Sequence, residues 1–277
     1  MSMLARRLVC RSLTLAAVCL LSGCSNTPTY SKEHLADSLQ ELFTADHLTT
    51  SVRVVDRTLA VQLDHPHVLV QANGQVGLGP AFDDALRKLI ISLHRVLLST
   101  DADISFYVLL LSDPTTPGAY VTLVRYLDDI RRANANMLDT PEFFARTILE
   151  LNPMGPNHMT LEQFIPRGIR LEEFLSWQLA RRLQYALSEA LQRSGAEVGR
   201  CGGEFRNGEF AFTLDVAPPG QGTLDDATMD KVFETSTSVI AKVLSSYHFE
   251  SFSAVRLTHP LTGRNLVLPK TRLDVFR

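Results

Sequence analysis

The stretch ISFYVLLLSDPTTPGAYVTLV, Ile104–Val124, sets the architecture. Ile104–Leu111 is an apolar run of strand length, Ser112–Gly118 is rich in chain breakers, and Tyr120–Val124 returns as a second strand. Working outward, Pro80 opens a helix that carries Phe82, Leu86, Leu89, Ile90, Leu93 and Leu97 on one face. Before it, Val52 and Val54, then Leu59, Val61 and Leu63, alternate as two strands around Asp56-Arg57, and Leu35, Leu39, Leu42 and Phe43 mark a leading helix. The order is α-β-β-α-β-β.

The same order returns downstream. Leu171, Phe174, Leu175, Leu179, Leu183, Ala186, Leu187 and Leu191 mark a long helix. Val198 to Phe205 and then Phe210, Phe212 and Leu214 flank an Asn207-Gly208 hairpin turn. A helix starts near Thr223 with Asp225 and Asp226 in its first turn, and Val232, Phe233, Ile240 and Val243 form its face. Phe249–Leu257, the turn Thr258–Gly263 and Leu266–Leu268 close the unit.

At an offset of 146, Ser105-Phe106 falls on Ser251-Phe252, Pro114 on Pro260, Leu98-Ser99 on Leu244-Ser245 and Leu127-Asp128 on Leu273-Asp274. The first hairpins need another offset, because the loop at residues 64–79, with its Asn73-Gly74 turn, is longer. The expected fold is therefore α+β, a tandem repeat of two α-β-β-α-β-β units. Each would be an antiparallel sheet with its helices on one face, in permuted ferredoxin-like order. Leu127–Ala135 reads as a helix, and Thr140-Pro141-Glu142 caps a short helix reaching Leu151. Asn152–His158 then breaks the chain, which places the units at 32–151 and 161–277 with a linker at 152–160. In element order the front part resembles the α-β-β-α-β modules of envelope proteins, BON domains and secretion ring-building motifs.

The N-terminus gives an address. Arg6, Arg7 and Arg11 precede the apolar run Leu13–Leu21, and Leu21-Ser22-Gly23-Cys24 ends it. A basic start and a short apolar stretch make residues 1–23 a secretory signal, too short to span a bilayer. Small residues before a cysteine resemble the lipobox of bacterial lipoproteins. That resemblance implies that Cys24 is diacylated, that the signal is cut before it and that its new amine is acylated too. The mature chain would then hang from a membrane by lipid, with residues 24–31 as a polar tether. Each buried methylene contributes about 0.8 kcal/mol, so two or three acyl chains hold durably where one does not. In a Gram-negative cell Ser25 resembles the same family's outer-membrane sorting signal, which implies an outer-membrane protein facing the periplasm. The competing readings are an ordinary secretory signal and an uncleaved anchor.

Of the 277 residues, 45% are hydrophobic and 21% charged, the balance of an ordinary globular protein. Removing residues 1–23, which carry three arginines and no acid, moves the net charge from −3 to −6. A mildly acidic body without a basic stripe argues against nucleic acid and against anionic lipid headgroups. Of the four cysteines, Cys10 and Cys19 leave with the signal and Cys24 takes lipid. Cys201 then has no partner for a disulfide within the mature chain and reads as a small apolar strand residue.

Catalytic signals are thin: G-x-S-x-G, H-E-x-x-H, paired C-x-x-C and Walker sequences are all absent. Gly74, Gly77 and Gly79 lack the spacing of a phosphate cradle. Asp64 with His65-Pro66-His67 is the sole local ligand-like cluster, and no third soft ligand sits at a metal-binding spacing. Asp128-Asp129 and Asp225-Asp226 read as solvated or helix-dipole carboxylates, and His259 as a surface turn residue. No cofactor or metal is expected. The long second-unit helix has more apolar residues than one face hides, which leaves Trp177, Phe174 and Tyr185 as candidate interaction residues. The leading expectation is a non-catalytic, lipid-anchored interaction, adaptor or assembly protein with an envelope protein partner. The alternatives are an envelope hydrolase with its site between the units, and a small-ligand or lipid-binding module using an open sheet face.

Overall fold

A computed structural model describes residues 29–155, 160–220 and 222–273. Cys24 and the signal therefore lie outside the described residues. After a turn at Lys32–His34 the chain forms α1 (Leu35–Ala45), β1 (Thr50–Val55), β2 (Thr58–Asp64), β3 (Leu69–Ala72), β4 (Gln75–Leu78), α2 (Phe82–Leu97), β5 (Phe106–Ser112) and β6 (Tyr120–Tyr126). Next come α3 (Leu127–Asn134), α4 (Thr140–Arg146), β7 (Ile148–Asn152), α5 (Leu161–Phe164) and α6 (Leu171–Leu191). The remainder is β8 (Glu197–Val198), β9 (Gly202–Arg206), β10 (Glu209–Thr213), β11 (Val216–Ala217), α7 (Asp226–Ser246), β12 (Ala254–His259), β13 (Arg264–Pro269) and α8 (Lys270–Leu273). The fold is mixed α+β.

Two sheets organise it, one of order β1-β2-β5-β6-β7 and one of order β13-β12-β10-β9. Both correct the expectation of antiparallel, permuted ferredoxin-like sheets. That order would set the last strand of the second hairpin, β6 or β13, against the first hairpin. Instead β5 lies parallel to β2, with Val108 opposite Ala60, and β12 lies parallel to β10, with Ala254 opposite Glu209. A crossover helix runs back along the sheet, so the strand it delivers runs parallel to the one it left, here into the adjacent place. The 64–79 loop is itself a hairpin, β3–β4. Its Asn73-Gly74 turn and the Asn207-Gly208 turn both place their two residues at positive φ, the geometry of a tight type I′ turn.

Strand alternation decides the packing. Leu59, Val61 and Leu63 of β2 join Tyr107, Leu109 and Leu111 of β5 beneath α1 and α2, where Leu39, Phe43, Leu89 and Leu93 are fully buried. The opposite face is not open, which corrects the expectation of helices on one face. Ala60, Phe106, Val108, Val124 and Ile148 pack against Leu161, Ile165, Ile169 and Phe174, which belong to α5, the segment after it and the start of α6. Phe210, Phe212, Val255 and Leu257 of the second sheet bury against α6 and α7, while Thr213, Arg256 and Val267 face outward. Residues 147–151, expected to end a helix, turn at Thr147 and form β7, a fifth strand paired to β6 alone. The β-branched pair Thr147-Ile148 and the alternation of Ile148 in, Leu149 out, suit a sheet edge better than a helix.

A buried polar lock joins the two halves. Arg146 and Asp129, each 3% exposed, pair at 2.7 Å. The Tyr247 hydroxyl at the end of α7 donates to the other Asp129 oxygen at 2.8 Å, and the Arg146 guanidinium lies 4.2 Å from the Tyr247 ring centre. Gln178 of α6 donates to the Tyr247 oxygen at 2.8 Å and to the Arg146 carbonyl at 2.9 Å. Burial pushes the Tyr247 phenol far up, so it stays a donor. Asp129, expected to be solvated, is instead the hub of this network. Removing one partner of a buried ion pair leaves an uncompensated charge, so Arg146→Met is expected to cost about 3–5 kcal/mol in denaturant unfolding. Tyr247→Phe, which removes one neutral donor, is expected to cost about 1–3 kcal/mol. Wild-type stability in Arg146→Met would show that the lock does not hold the halves together.

Candidate functional site

The helix α6 is the element both halves share. Its entry is tied to the first sheet: the Gly168 amide donates to Asp56 at 2.9 Å, the Ile169 amide donates to Thr58 Oγ1 at 2.8 Å, and Arg53 reaches the Ile165 carbonyl at 3.4 Å. Gly168 is required there, since a Cβ would stand 2.8 Å from the Asp56 Cβ. Glu173 closes the first turn by accepting from the Arg170 amide. Its hydrogen bonds to Arg167, then to Arg170, pull its carboxyl down to about 2. Further along, Leu175, Leu179, Leu183, Leu187 and Leu191 enter the second core. β9 lies directly on the helix, because a Cβ at Gly203 would come 2.4 Å from the Ser176 carbonyl oxygen.

Of the three predicted aromatic residues, Phe174 is fully buried, with its ring 5.3 Å from that of Phe106, so it is not available to a partner. Trp177 and Tyr185 leave that core by lying further along the helix, one and three turns on, and are 42% and 68% exposed. Those two border a groove of about 650 Å³ between α6, the face of β5, β6 and β7 that turns toward it, and the chain entering β9. Glu150 of β7 and Arg200 form an ion pair at 3.3 Å that bridges two of its walls. A second groove of about 490 Å³ lies between α4, α6 and α7, lined by Phe144, Tyr185, Val239 and Lys242 among others. Arg181 and Tyr185 border both grooves. Phe144, 62% exposed, and the half-exposed Leu149 and Leu151 extend the apolar surface. These three went unrecognised because residues 140–151 read as one short helix. The strict alternation of Ile148-Leu-Glu-Leu-Asn152 was the available signal.

Among the described residues, neither groove is lined by a histidine, a serine or an aspartate. A third groove of about 650 Å³ on the first sheet holds Arg53, Gln62, Asp64, Ser112 and Glu162, and the Ser112 hydroxyl donates to Asp64, but no histidine among the described residues lines it. His65 instead bonds the Pro66 carbonyl at 2.7 Å, and His67 sits at a positive φ in the turn before β3. Among the described residues no three His, Cys, Asp or Glu side chains gather as a metal site. Cys201 is buried, and burial pushes its thiol up, away from reactivity. Asp225 accepts from the Thr228 amide as the α7 N-cap. His259, expected at the surface, is fully buried between Thr262 Oγ1 and the Val216 carbonyl. The apolar residues on both faces of β5, which suggested an open ligand-binding sheet, are accounted for by α5 and α6 covering the second face.

No known protein family matches the chain, and no curated protein or solved structure does so.

One titratable cluster sits inside the first core. Arg125, 7% exposed, donates to the Tyr107 hydroxyl at 3.2 Å and to Thr147 Oγ1 at 3.1 Å, and stacks 4.8 Å from the Phe143 ring centre. With Arg125 donating to it, the Tyr107 hydroxyl turns its own proton to His94 Nε2, 3.1 Å away. Burial, and then the Arg125 charge, push His94 down to about 4. The unfolded chain takes up this proton near 6.5, whereas the folded chain resists until about 4. Stability from this site is therefore complete above pH 6.5 and declines as the pH falls toward 4. His94→Gln keeps a hydrogen-bond acceptor and does not titrate. Thermal melting across pH 4 to 7 is expected to show a shallower pH dependence in the variant; parallel curves would exclude His94 as the titrating group.

Proposed function

We propose that the chain is a lipid-anchored protein of the cell envelope that recognises another envelope protein through the grooves along α6, without catalysing a reaction. One observation carries the recognition half of this reading. A helix locked into two cores holds Trp177 and Tyr185 out toward solvent, between the edge strands of the two sheets. Rigid aromatic residues beside a pocket are the side chains that most often dominate binding energy, because little conformational entropy is lost when they are covered. The anchoring half rests on the lipobox resemblance at Leu21–Cys24, with Ser25 favouring the outer membrane of a Gram-negative cell.

We also infer that the body arose by duplication of one α-β-β-α-β-β unit. Both sheets are built from a hairpin, a crossover helix and a second hairpin in that order. The offset of 146 carries Leu109 and Leu111 onto Val255 and Leu257, which face the helices in both sheets. Strand pairing adds detail. Leu123 is opposite Leu109 and Leu268 is opposite Val255, so the return strands stand 145 apart. The first hairpins stand 149 apart, since Ala60 is opposite Val108 and Glu209 opposite Ala254. Two diverged copies on one short tether would offer a partner one composite surface at their junction, which is where the grooves lie.

Two measurements test the two halves separately. Metabolic palmitate labelling is expected to mark the wild-type chain and to leave Cys24→Ser unmarked; an unlabelled wild type ends the anchoring half. Trp177→Ala is expected to melt within about 1 °C of wild type, as changes at exposed sites usually do. The same variant is expected to lose partners crosslinked in intact membranes. A lowered melting temperature with unchanged crosslinking would return Trp177 to a packing role.

A further inference from the structure

The grooves say where a partner sits, and the edge of β7 says in what form. β7 pairs with β6 on one side only, and among the described residues no hydrogen bond reaches its other side. Every second residue of such a strand presents its amide and carbonyl outward, an array that only another extended chain satisfies in full. Ile148–Asn152 has no Lys, Pro or bulge to protect its edge; its one charge, Glu150, is held by Arg200, and Leu149 and Leu151 are left half-exposed. A neighbouring strand would lie about 4.8 Å out, within the groove that separates β7 from the chain entering β9. Gly202, which has no side chain, lines that far wall.

Charge selects the occupant. Arg181 stands at the junction of both grooves, and its nearest hydrogen bond is a long one, 3.5 Å to the Thr147 carbonyl. Neither Arg181 nor Lys242, in the adjoining groove, has a carboxylate within ion-pair distance among the described residues, whereas Arg200 and Arg182 are held by Glu150 and Glu142. Glu189 also borders the Lys242 groove, so the open cationic position nearest β7 is Arg181.

We propose that β7 takes up an extended segment of a protein partner as a sixth strand of the first sheet. Side chains alternate along such a segment. Those turned toward α6 include an acidic one that pairs with Arg181 beside Trp177 and Tyr185. Those turned the other way are apolar and continue the row of Leu149 and Leu151. This rests on the α6 grooves being the recognition site and adds to it the conformation and the charge pattern of the partner.

The test uses the full-length chain in detergent, panned against a displayed library of random twelve-residue peptides. Recovered peptides are expected to alternate acidic and apolar residues. They are expected to bind Arg181→Glu about tenfold or more weakly, the range over which a charge-assisted contact is lost. The deciding measurement leaves the protein untouched. Each recovered peptide is made with N-methyl groups on its odd amides or on its even amides. In strand addition one set faces β7 and the other faces away. One methylated series is expected to lose binding about tenfold or more while the other stays within about twofold. Amide exchange at residues 148–152 is expected to slow in the complex. Three outcomes overturn the proposal: peptides that bind equally well in both methylated series, peptides indifferent to Arg181→Glu, or β7 amides protected in the absence of peptide through self-association of the chain. If the methylated series behave alike while Trp177→Ala still loses its membrane partner, the recognition site stands and only the strand-addition geometry falls.

Discussion

The sharing of α6 between two hydrophobic cores is the constraint from which the rest follows. Its entry is pinned to the first sheet through Asp56 and Thr58, Phe174 fills the first sheet's outer face, and five leucines fill the second core. A helix offers its side chains around a full circle, and two cores claim most of it. The strip left over is Trp177, Arg181 and Tyr185, one turn apart. Because the backbone beneath them is fixed from both sides, these three side chains are presented without freedom to fold back into a core. Mobility of the helix would blunt such a surface; packing of this kind preserves it.

The same sharing explains the buried charge at the junction. Asp129, Arg146, Gln178 and Tyr247 come from α3, α4, α6 and the end of α7, so no single half contains the complete network. Apolar contact would hold the halves together but would tolerate sliding, since hydrophobic burial has little directional preference. A hydrogen-bonded ion pair tolerates little displacement before an uncompensated charge is left in the interior. The grooves depend on the separation between β7 and β9, and the lock fixes that separation. Glu142 extends the effect outward by holding Arg146 at 2.9 Å and Arg182 at 2.8 Å, which leaves Arg181 as the uncommitted neighbour on the same turn.

Much of this was legible in the sequence, and the failures have physical causes. Alternation marks β1 and β2, an apolar run and its return across a breaker-rich turn mark β5 and β6, and the Asn-Gly pairs locate two tight turns. Periodicity found α1, α2, α6 and α7. It could not report strand order, because pairing between β2 and β5 is decided by where the crossover helix delivers the chain, not by either strand's pattern. β7 was missed because a five-residue strand after a capped helix lies below the length at which one period outweighs another. Asp129 and His259 look like solvent-facing polar residues until distant partners, Arg146 with Tyr247 and Val216 with Thr262, are brought to them. Phe174, Trp177 and Tyr185 group on a helix with more apolar residues than one face hides, yet Phe174 packs on Phe106 and is fully buried while Trp177 borders the groove and is half-exposed.

Two buried arginines show why the open surface is where recognition chemistry belongs. Arg125 is enclosed with no carboxylate, and its charge is accommodated by the Tyr107 hydroxyl, by Thr147 and by the face of Phe143. Arg146 is enclosed with two carboxylates, Asp129 and Glu142. Both are already solvated by the fold, so neither can contribute to binding unless the core opens. Arg181 differs in kind: it is half-buried, its guanidinium makes one long hydrogen bond, and it stands between two grooves. Partial burial lowers the local dielectric and so strengthens a charge contact relative to one on a fully exposed side chain, while the desolvation still to be met is small. Of Arg125, Arg146, Arg181 and Arg182, Arg181 is thus the one least held by the described residues.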